Sequence, residues 1–263
     1  MPGGARWRRQ TAREIEKLTA RASAADAHVA HYDRTMLKGL PTSVVRYFEF
    51  ALTPGQPMVE RARIDWEGEF SIRPRRWSPF AATQHYRVRP PGFVWDARIR
   101  VVPAVSVLVR DAYIDREGSL RAAIGGMIDL ANEHGTPEMA AGELLRYLGE
   151  AVWYPTALLP CAGVRWRSLD DRSANATLSD GATTVSMNVD FAPSGEITHI
   201  TAVRPRSENG TSVLTAWVAR LADYSLRSGM QVPGAGEAEW TLSTGPLPYW
   251  RGRLVNVHYD FTI

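Results

Sequence analysis

The stretch TPEMAAGELLRYLGEAVWYPTALLP, residues 136–160, carries the long helical pattern of a chain that otherwise alternates like β-strands. Thr136 is a good N-cap, and Pro137 falls at the first helical position, where its missing N–H costs nothing. Pro155 cannot continue a helix without cost. We therefore expect a helix over 137–153 that lies as a plug or lid against a curved sheet.

The helical stretch has two distinct faces. Its apolar face repeats at a spacing of four through Leu144, Leu148 and Val152. A second face holds Glu143, Arg146 and Glu150. On a solvent-facing helix, the i, i+4 pair Arg146–Glu150 contributes only about 0.3–0.5 kcal/mol. If this face lines a cavity, the same residues would provide a carboxyl group for proton transfer or for binding the polar end of a ligand. Both interpretations are open from the sequence.

From Met58 onward the hydrophobic period changes from helical to two, which is typical of half-buried strands. The clearest alternating segments are residues 58–70, 93–101, 105–109, 185–191 and 255–263. Turn signals at 115–118, 180–181 and 193–195 separate such runs. Short antiparallel strands with one long helix predict a mainly β (α+β) fold, a curved antiparallel sheet forming a barrel or half-barrel around a central helix, with N-terminal helices. By analogy of fold alone, it is lipocalin-like or lipoprotein-carrier-like.

We expect residues 1–38 to form an N-terminal helical extension and 39–263 a single β-rich ligand-pocket domain, with a possible divide near 126–135. The first helix has a thin apolar stripe, Ile15, Leu18, Ala22 and Ala25, so a mostly exposed helix is expected over 6–34. It could also dock on the body, on a partner subunit, or peripherally on an anionic membrane through Trp7 and its arginines. A second short helix after Pro41 should pack on the core.

The composition favours a folded protein, with 44% hydrophobic and 22% charged residues among 263. A net charge of +3 without a basic stripe argues against nucleic acid as a partner. The single cysteine, Cys161, excludes an internal disulfide and a cysteine-based zinc cluster. No stretch reaches the roughly 18 to 20 apolar residues of a membrane span, and no signal-peptide core is seen, so we expect a cytoplasmic protein.

Four segments resemble a bacterial family of unknown function: PFAATQHYRVRPPGFVWDARIR, SVLVRDAYIDREGSL, ELLRYLGEAVWYPTALLP and PLPYWRGRLVNVHYD. The likeness runs from about Leu40 to the C-terminus. Proline, tryptophan and charged residues recur in order, most clearly in RYLGEAVWYPTALLP and PPGFVWDARIR. The resemblance implies a shared fold and a shared pocket, and it assigns no catalytic residue. Many members of the family begin with membrane-spanning or signal-like segments, where this chain has a polar helix.

The candidate catalytic residues are Glu150, His85 and Arg146. His85 would be the acid–base partner of Glu150 in an enzyme, although a lone strand histidine is more often a surface or hydrogen-bonded residue. The candidate ligand-binding residues are aromatic or polar side chains that could equally belong to the core: Trp95, Asp111, Tyr113, Tyr147, Trp153 and Tyr154. No metal motif, phosphate loop or GxSxG elbow is present, so we expect no metal and no cofactor.

Three functions follow from this pattern. The leading hypothesis is a protein that binds a hydrophobic small molecule in an apolar cavity between a curved sheet and the 137–153 helix. The alternative is a cofactor-free enzyme, a cyclase, isomerase or hydrolase, that uses Glu150 as acid or base on a hydrophobic substrate. The third is a structural or partner-binding protein that acts through its N-terminal helix. The ligand, the reaction and the oligomeric state are left open by the sequence.

Overall fold

The computed structural model describes residues 2–20, 30–73, 76–103, 105–208 and 211–262. Within these ranges the α-helices are α1 (Pro2–Ala20), α2 (Thr42–Ala51) and α3 (Pro137–Glu150). The strands are β1 (Val59–Arg73), β2 (Arg76–Arg87), β3 (Gly92–Val102), β4 (Val105–Ile114), β5 (Glu117–Ile124), β6 (Ile128–His134), β7 (Arg165–Ser168), β8 (Ser173–Asp180), β9 (Thr183–Phe191), β10 (Ile197–Glu208), β11 (Thr211–Ala222), β12 (Ser225–Arg227), β13 (Met230–Val232), β14 (Ala235–Leu242) and β15 (Gly245–Phe261).

Thirteen of these strands form one antiparallel sheet in the order β6-β5-β4-β3-β2-β1-β15-β14-β11-β10-β9-β8-β7. Each neighbouring pair is antiparallel, and β12 and β13 form a separate small hairpin. The last strand pairs with the first, so β1 and β15 join the two wings of the sheet at its centre. The sheet curls into a half-barrel, and the mainly β fold expected from the sequence is confirmed.

A register shift in β1 and a glycine in β15 accompany the curvature of the sheet. The register shifts between Asp65 and Trp66 in β1, where β15 pairs with it, and such bulges bend a strand and increase its twist. Gly252 of β15 faces Gly68 of β1, and a Cβ on Gly252 would collide with the indole of Trp250. Glycine at this position lets the Trp250 ring fold over the strand on the concave side of the sheet.

Helix α3 lies across the concave face. Its start is as the sequence predicts, because the Thr136 side chain accepts a hydrogen bond from the backbone N–H of Met139 and Pro137 opens the first turn. The helix contacts β3, β4 and β5 on one wing and β9 and β10 on the other. It ends at Glu150, earlier than expected, and the chain tightens into the 3₁₀ turn Ala151–Trp153. Leu144 and Leu148 are completely buried.

The other strand and turn predictions hold where the structure describes them. Segments 58–70, 93–101, 105–109 and 185–191 lie mainly within β1, β3, β4 and β9, and 255–262 lies mainly within β15, while Ile263 falls outside the described residues. The expected short helix after Pro41 is α2, which buries Val44, Tyr47 and Phe48. At the possible divide, 126–135, β6 pairs with β5 and continues the same sheet.

Of the alternatives that the sequence left open for the N-terminal helix, α1 docks on the body of the protein, while its outer face is exposed. Trp7 is only 2% exposed, and its indole N–H donates to Asp96 at 2.8 Å. Asp96 and Trp95 alternate along β3, so α1 packs on the convex face of the sheet, opposite α3. This burial removes Trp7 as the expected membrane anchor. Residues 21–29, with Ala22 and Ala25 of the predicted stripe, lie outside the described residues.

The last described turn of α1 is also tied to the sheet. Arg87 donates to the carbonyl oxygen of Leu18 at 2.6 Å, and Arg61 donates to that of Thr19 at 3.3 Å. In the described part of the chain, no helix has both the length and the apolar character of a membrane span.

Candidate functional site

A cavity of about 700 Å³ lies between the concave face of the sheet and α3. The cavity-facing stripe of α3 recurs at helical spacing through Met139, Gly142, Glu143, Arg146, Gly149 and Glu150. The outer part of the cavity is lined by exposed residues, among them His134, Glu138 and Ser207. They belong to β6, to the start of α3 and to the end of β10. A volume of this size is typical of small-molecule sites.

Seven aromatic rings line the inner wall of the cavity. Its rings belong to six strands or turns and comprise Phe70, Trp95, Trp153, Trp217, Trp240, Tyr249 and Trp250. Trp153 donates its indole N–H to the carbonyl oxygen of Pro233 at 2.9 Å, and Trp217 donates to the Tyr249 hydroxyl at 2.9 Å. These polar atoms are already paired within the protein, so what the two rings offer to a ligand is apolar contact.

Arg146 occupies the centre of the polar part of the cavity. Its Nε donates to Glu150 Oε1 at 2.8 Å, and its Nη1 donates to Asp111 Oδ2 of β4 at 2.6 Å. The same Nη1 lies 4.0 Å from Glu143 Oε2. The guanidinium group also lies over the ring of Trp95, 4.9 Å from its centroid. One guanidinium therefore faces three carboxyl groups and an aromatic ring.

Glu150 accepts hydrogen bonds from the protein at both carboxylate oxygens. Its second oxygen, Oε2, accepts from Gln84 Nε2 at 2.7 Å and from the Tyr86 hydroxyl at 3.1 Å, both on β2. Together with Arg146, these contacts occupy both carboxylate oxygens. Glu150 thus links α3 to the middle of the sheet.

Glu143 and Asp111 are the least satisfied carboxyl groups of the site, and Arg204 Nε is likewise buried without a partner among the described residues. Glu143 and Asp111 are 6% and 8% exposed, and no donor among the described residues reaches Glu143 Oε2 or Asp111 Oδ1. Burial, followed by repulsion from Asp111, raises the pKa of Glu143 to about 8. Burial also raises the pKa of Asp111, while Arg146 opposes that shift. Glu143 Oε2 and Asp111 Oδ1 are therefore buried acceptor atoms without a donor in the described part of the chain.

Arg204 of β10 supplies a second buried cation. It is 8% exposed, and its Nη2 donates to the carbonyl oxygen of Gly142 at 3.0 Å. Its guanidinium lies 5.2 Å from the ring centroid of Trp217 and 5.7 Å from that of Trp240. Arg204 therefore joins the far wing of the sheet to α3 and covers part of the aromatic wall.

Several residues singled out from the sequence meet in this cavity: Glu150, Arg146, Trp95, Asp111 and Trp153. His85 does not. Its strand neighbours Gln84 and Tyr86 reach Glu150, so the alternation of β2 turns His85 to the convex face, beside Arg63. Burial and Arg63 lower the pKa of His85. The expected pairing of His85 with Glu150 is not made.

The structure also corrects the placement of three tyrosines, which belong to the core and do not line the cavity. The Tyr113 hydroxyl donates to Asp180 Oδ2 at 3.0 Å. The Tyr147 hydroxyl donates to the carbonyl oxygen of Val88, and the Tyr154 hydroxyl to that of Tyr147. Tyr147 follows Arg146 by one residue and is turned about 100° around the helix, away from the cavity stripe.

Sequence reasoning missed several residues of the site: Gln84, Tyr86, Glu143 as an acceptor, Arg204, Trp217, Trp240 and Trp250. The sequence does carry a signal for Gln84 and Tyr86. They alternate with His85 in one strand, so they lie together on the face opposite to His85. Arg204 follows Ile200 and Ala202 at the same period of two, so it shares their face of β10. Within the described ranges, no three His, Cys, Asp or Glu side chains are grouped to hold a metal ion.

The fold and the cavity define a half-barrel protein with an internal, mostly apolar site that includes seven aromatic rings. The chain belongs to DUF6920, a family of unknown function, whose model matches residues 38–259. A search of curated proteins found no match. Among solved structures, a LolA superfamily protein from Nitrosomonas europaea is similar at 9% identity and a TM-score of 0.42, covering 84% of this chain and 94% of that one. A beta-barrel-like protein of a domain of unknown function from Brucella abortus is similar at 10% identity and a TM-score of 0.30, covering 77% and 99%.

Replacing Arg146 by Met should destabilise the protein strongly. Met keeps much of the aliphatic packing, but Asp111, Glu143 and Glu150 would lose their shared cation. Breaking a buried ion pair in this way costs about 3–5 kcal/mol of unfolding free energy. Chemical denaturation at neutral pH measures this loss.

The matched control is Arg220→Met. Arg220 pairs with Glu239 at 2.8 Å, but its side chain is 42% exposed, so its loss should cost no more than about 1 kcal/mol. Equal small losses in the two variants would contradict a buried cluster at Arg146.

Glu143→Gln should make stability less dependent on pH. In the folded protein Glu143 holds its proton up to pH about 8, whereas an exposed glutamate releases it near pH about 4.3. The unfolded chain therefore binds fewer protons between these values, and this residue's contribution to stability falls as pH rises. The melting temperature of the variant, relative to the parent, should rise from pH 5 to pH 9.

Four charged groups face Glu143: Asp111, Arg146, Glu150 and Arg204. They are the same in the parent and in the variant, so the difference in melting temperature between the two proteins reports on Glu143. Glu138→Gln, which removes an exposed carboxylate from the same helix, controls for the change in net charge. A difference that stays constant from pH 5 to pH 9 would show that Glu143 is not a buried acid.

Proposed function

We propose that the protein binds a hydrophobic small molecule in the cavity between the half-barrel and α3. The aromatic wall supplies apolar area, and the group around Arg146 supplies a polar end that orients the ligand. This combination of a mostly apolar concave site with a few convergent polar groups is the usual design of a small-molecule site.

The observation that carries the proposal is a pair of glycines on the cavity-facing stripe of α3. Gly142 and Gly149 lie inside the helix, where each glycine costs about 1 kcal/mol relative to alanine. A Cβ on Gly142 would meet nothing within 4 Å, and one on Gly149 would meet only ordinary contacts near 3.9 Å. Local packing therefore does not require either glycine. Space in the cavity is retained at a cost in helix stability, as expected if something else fills it.

The alternative of an enzyme that uses Glu150 as acid or base is less well supported. Gln84, Tyr86 and Arg146 donate hydrogen bonds to both oxygens of Glu150, so a ligand would compete with three protein donors for this carboxyl group. Its expected partner His85 lies on the opposite face of the sheet. The arrangement favours a structural role for Glu150 and binding as the activity of the cavity.

The test compares two substitutions at one position. Gly142→Ala adds a methyl group to the open side of the helix, whereas Gly142→Phe projects a ring into the cavity. Both remove the helical cost of glycine, so both should fold. We expect the neutral fluorophore N-phenyl-1-naphthylamine to bind the parent and Gly142→Ala saturably at one site, and Gly142→Phe at least about tenfold more weakly, a loss of about 1.4 kcal/mol.

Fluorescence titration measures this affinity, and circular dichroism confirms that each variant is folded. Equal binding to all three proteins would place the fluorophore on the outer surface and contradict the proposal. Absence of saturable binding to the parent would contradict it as well.

A further inference from the structure

A group of exposed apolar side chains lies at one edge of the sheet, at the turns that follow β3 and β5. Because the strands of this wing are antiparallel neighbours, the two turns lie at the same edge, two strands or about 10 Å apart. Four large side chains at these turns are 39% to 63% exposed: Val102, Val105, Met127 and Ile128. We call these four residues the tip patch. Large apolar side chains that are exposed together mark an interaction surface.

The first two turns of α1 lie beside the tip patch. A Cβ on Gly3 would overlap the side chain of Met127, so the helix begins in contact with the turn that follows β5. The buried Trp7 then fixes the rotation of the helix on the convex face. Three arginines of these turns remain exposed: Arg6, Arg8 and Arg9.

Strand β3 brings two more arginines to the same place. Arg98 and Arg100 are exposed and precede Val102 at a period of two, so the three side chains share one face of the strand. Apolar and basic residues of both elements line one groove of the convex face: Arg8, Arg98, Val105, Met127 and Ile128. The tip patch and the arginines therefore form one continuous surface.

The positive charge of this surface is not neutralised by the protein. Among the described residues, none of the five arginines has a carboxylate within ion-pair distance. Helix α1 has no acidic residue before Glu14. Asp129, which follows the tip patch, is paired with Arg121 at 2.9 Å. The carboxylates that line the groove also have partners: Asp65 with Arg63, Glu67 with Arg253 and Asp96 with Trp7.

We propose that the tip patch docks the protein on a membrane surface that contains anionic lipids. The four apolar side chains enter the boundary between head groups and acyl chains, and the five arginines lie at the level of the lipid phosphates. Binding at a membrane interface gains its strength from this combination of buried apolar area and attraction to anionic lipids. A nucleic acid would use the arginines but leave Met127 and Ile128 in water.

This inference goes beyond the proposed function and does not depend on it. No residue of the tip patch lines the cavity between the sheet and α3. Substitutions in the tip patch can therefore be made without altering the site proposed for the small molecule.

The test measures binding of the full-length protein to lipid vesicles by flotation at about 0.1 M salt. We expect vesicles of equal parts phosphatidylglycerol and phosphatidylcholine to bind it at least about tenfold tighter than vesicles of phosphatidylcholine alone. One arginine near an anionic surface strengthens binding about fivefold. The triple change Arg6→Gln, Arg8→Gln and Arg9→Gln should therefore weaken binding to the anionic vesicles at least about tenfold.

The apolar half of the surface is tested by the double change Met127→Ser and Ile128→Ser. Both side chains are more than half exposed, so the fold should tolerate it, and binding should fall at least about tenfold because the apolar insertion is lost.

Two matched controls make the same kinds of change elsewhere on the surface. Arg165→Gln, Arg167→Gln and Arg172→Gln remove three exposed arginines in or next to β7, at the opposite edge of the sheet. Val203→Ser and Leu214→Ser remove two exposed apolar side chains from the other wing. Each control should bind the vesicles within about twofold of the parent.

Three outcomes would overturn the inference. The parent could fail to prefer the anionic vesicles, or the controls could lose as much binding as the tip variants. Loss of binding on the arginine changes, without any loss on Met127→Ser and Ile128→Ser, would indicate attraction at a distance and contradict docking through the tip patch. Circular dichroism checks that each variant is folded. Titration with N-phenyl-1-naphthylamine, which reports on the cavity, should give the same affinity for the parent and both tip variants, so this inference and the proposed function fail separately.

Discussion

The ion cluster centred on Arg146 is the interaction on which the rest of the structure depends. Through Asp111 it ties α3 to β4, and through Glu150, Gln84 and Tyr86 it ties α3 to β2. These contacts fix the rotation of the helix about its axis. With the polar stripe held on the cavity side, Leu144 and Leu148 must face the other way, where they are fully buried.

This arrangement keeps α3 in place without filling the half-barrel. An apolar stripe of Leu or Phe on the cavity side would bury more area, at about 25 cal/mol per Å², but it would close the cavity. Charged residues and the glycines Gly142 and Gly149 are poor choices for stability alone, since buried ion pairs often add less than well-packed apolar residues. The charged residues and the two glycines lie together on the cavity-facing stripe, as expected if this stripe contacts a bound molecule.

Local signals explain which parts of the structure could be predicted from the sequence. Thr136 and Pro137 identify the start of α3, and the period of two identifies the main strands, because both depend only on near neighbours. Near neighbours do not decide which face of a strand turns towards the cavity when both faces carry large polar residues. Gln84 faces inward because it meets Glu150, 66 residues later, and Trp7 is buried because Asp96 accepts its N–H, 89 residues away. Contacts between residues so far apart in sequence form only in the folded, curved sheet, so the local sequence pattern does not indicate them.

The most direct test of the central claim is to locate a bound hydrophobic molecule by anomalous X-ray diffraction. A decyl alcohol with a terminal bromine is neutral, so its binding does not depend on the charge of the head group. The account predicts an ordered bromine peak inside the cavity, against the wall formed by Trp95, Trp153 and Trp250. Bromine found only on the outer surface of the protein, with the cavity occupied by water, would contradict it.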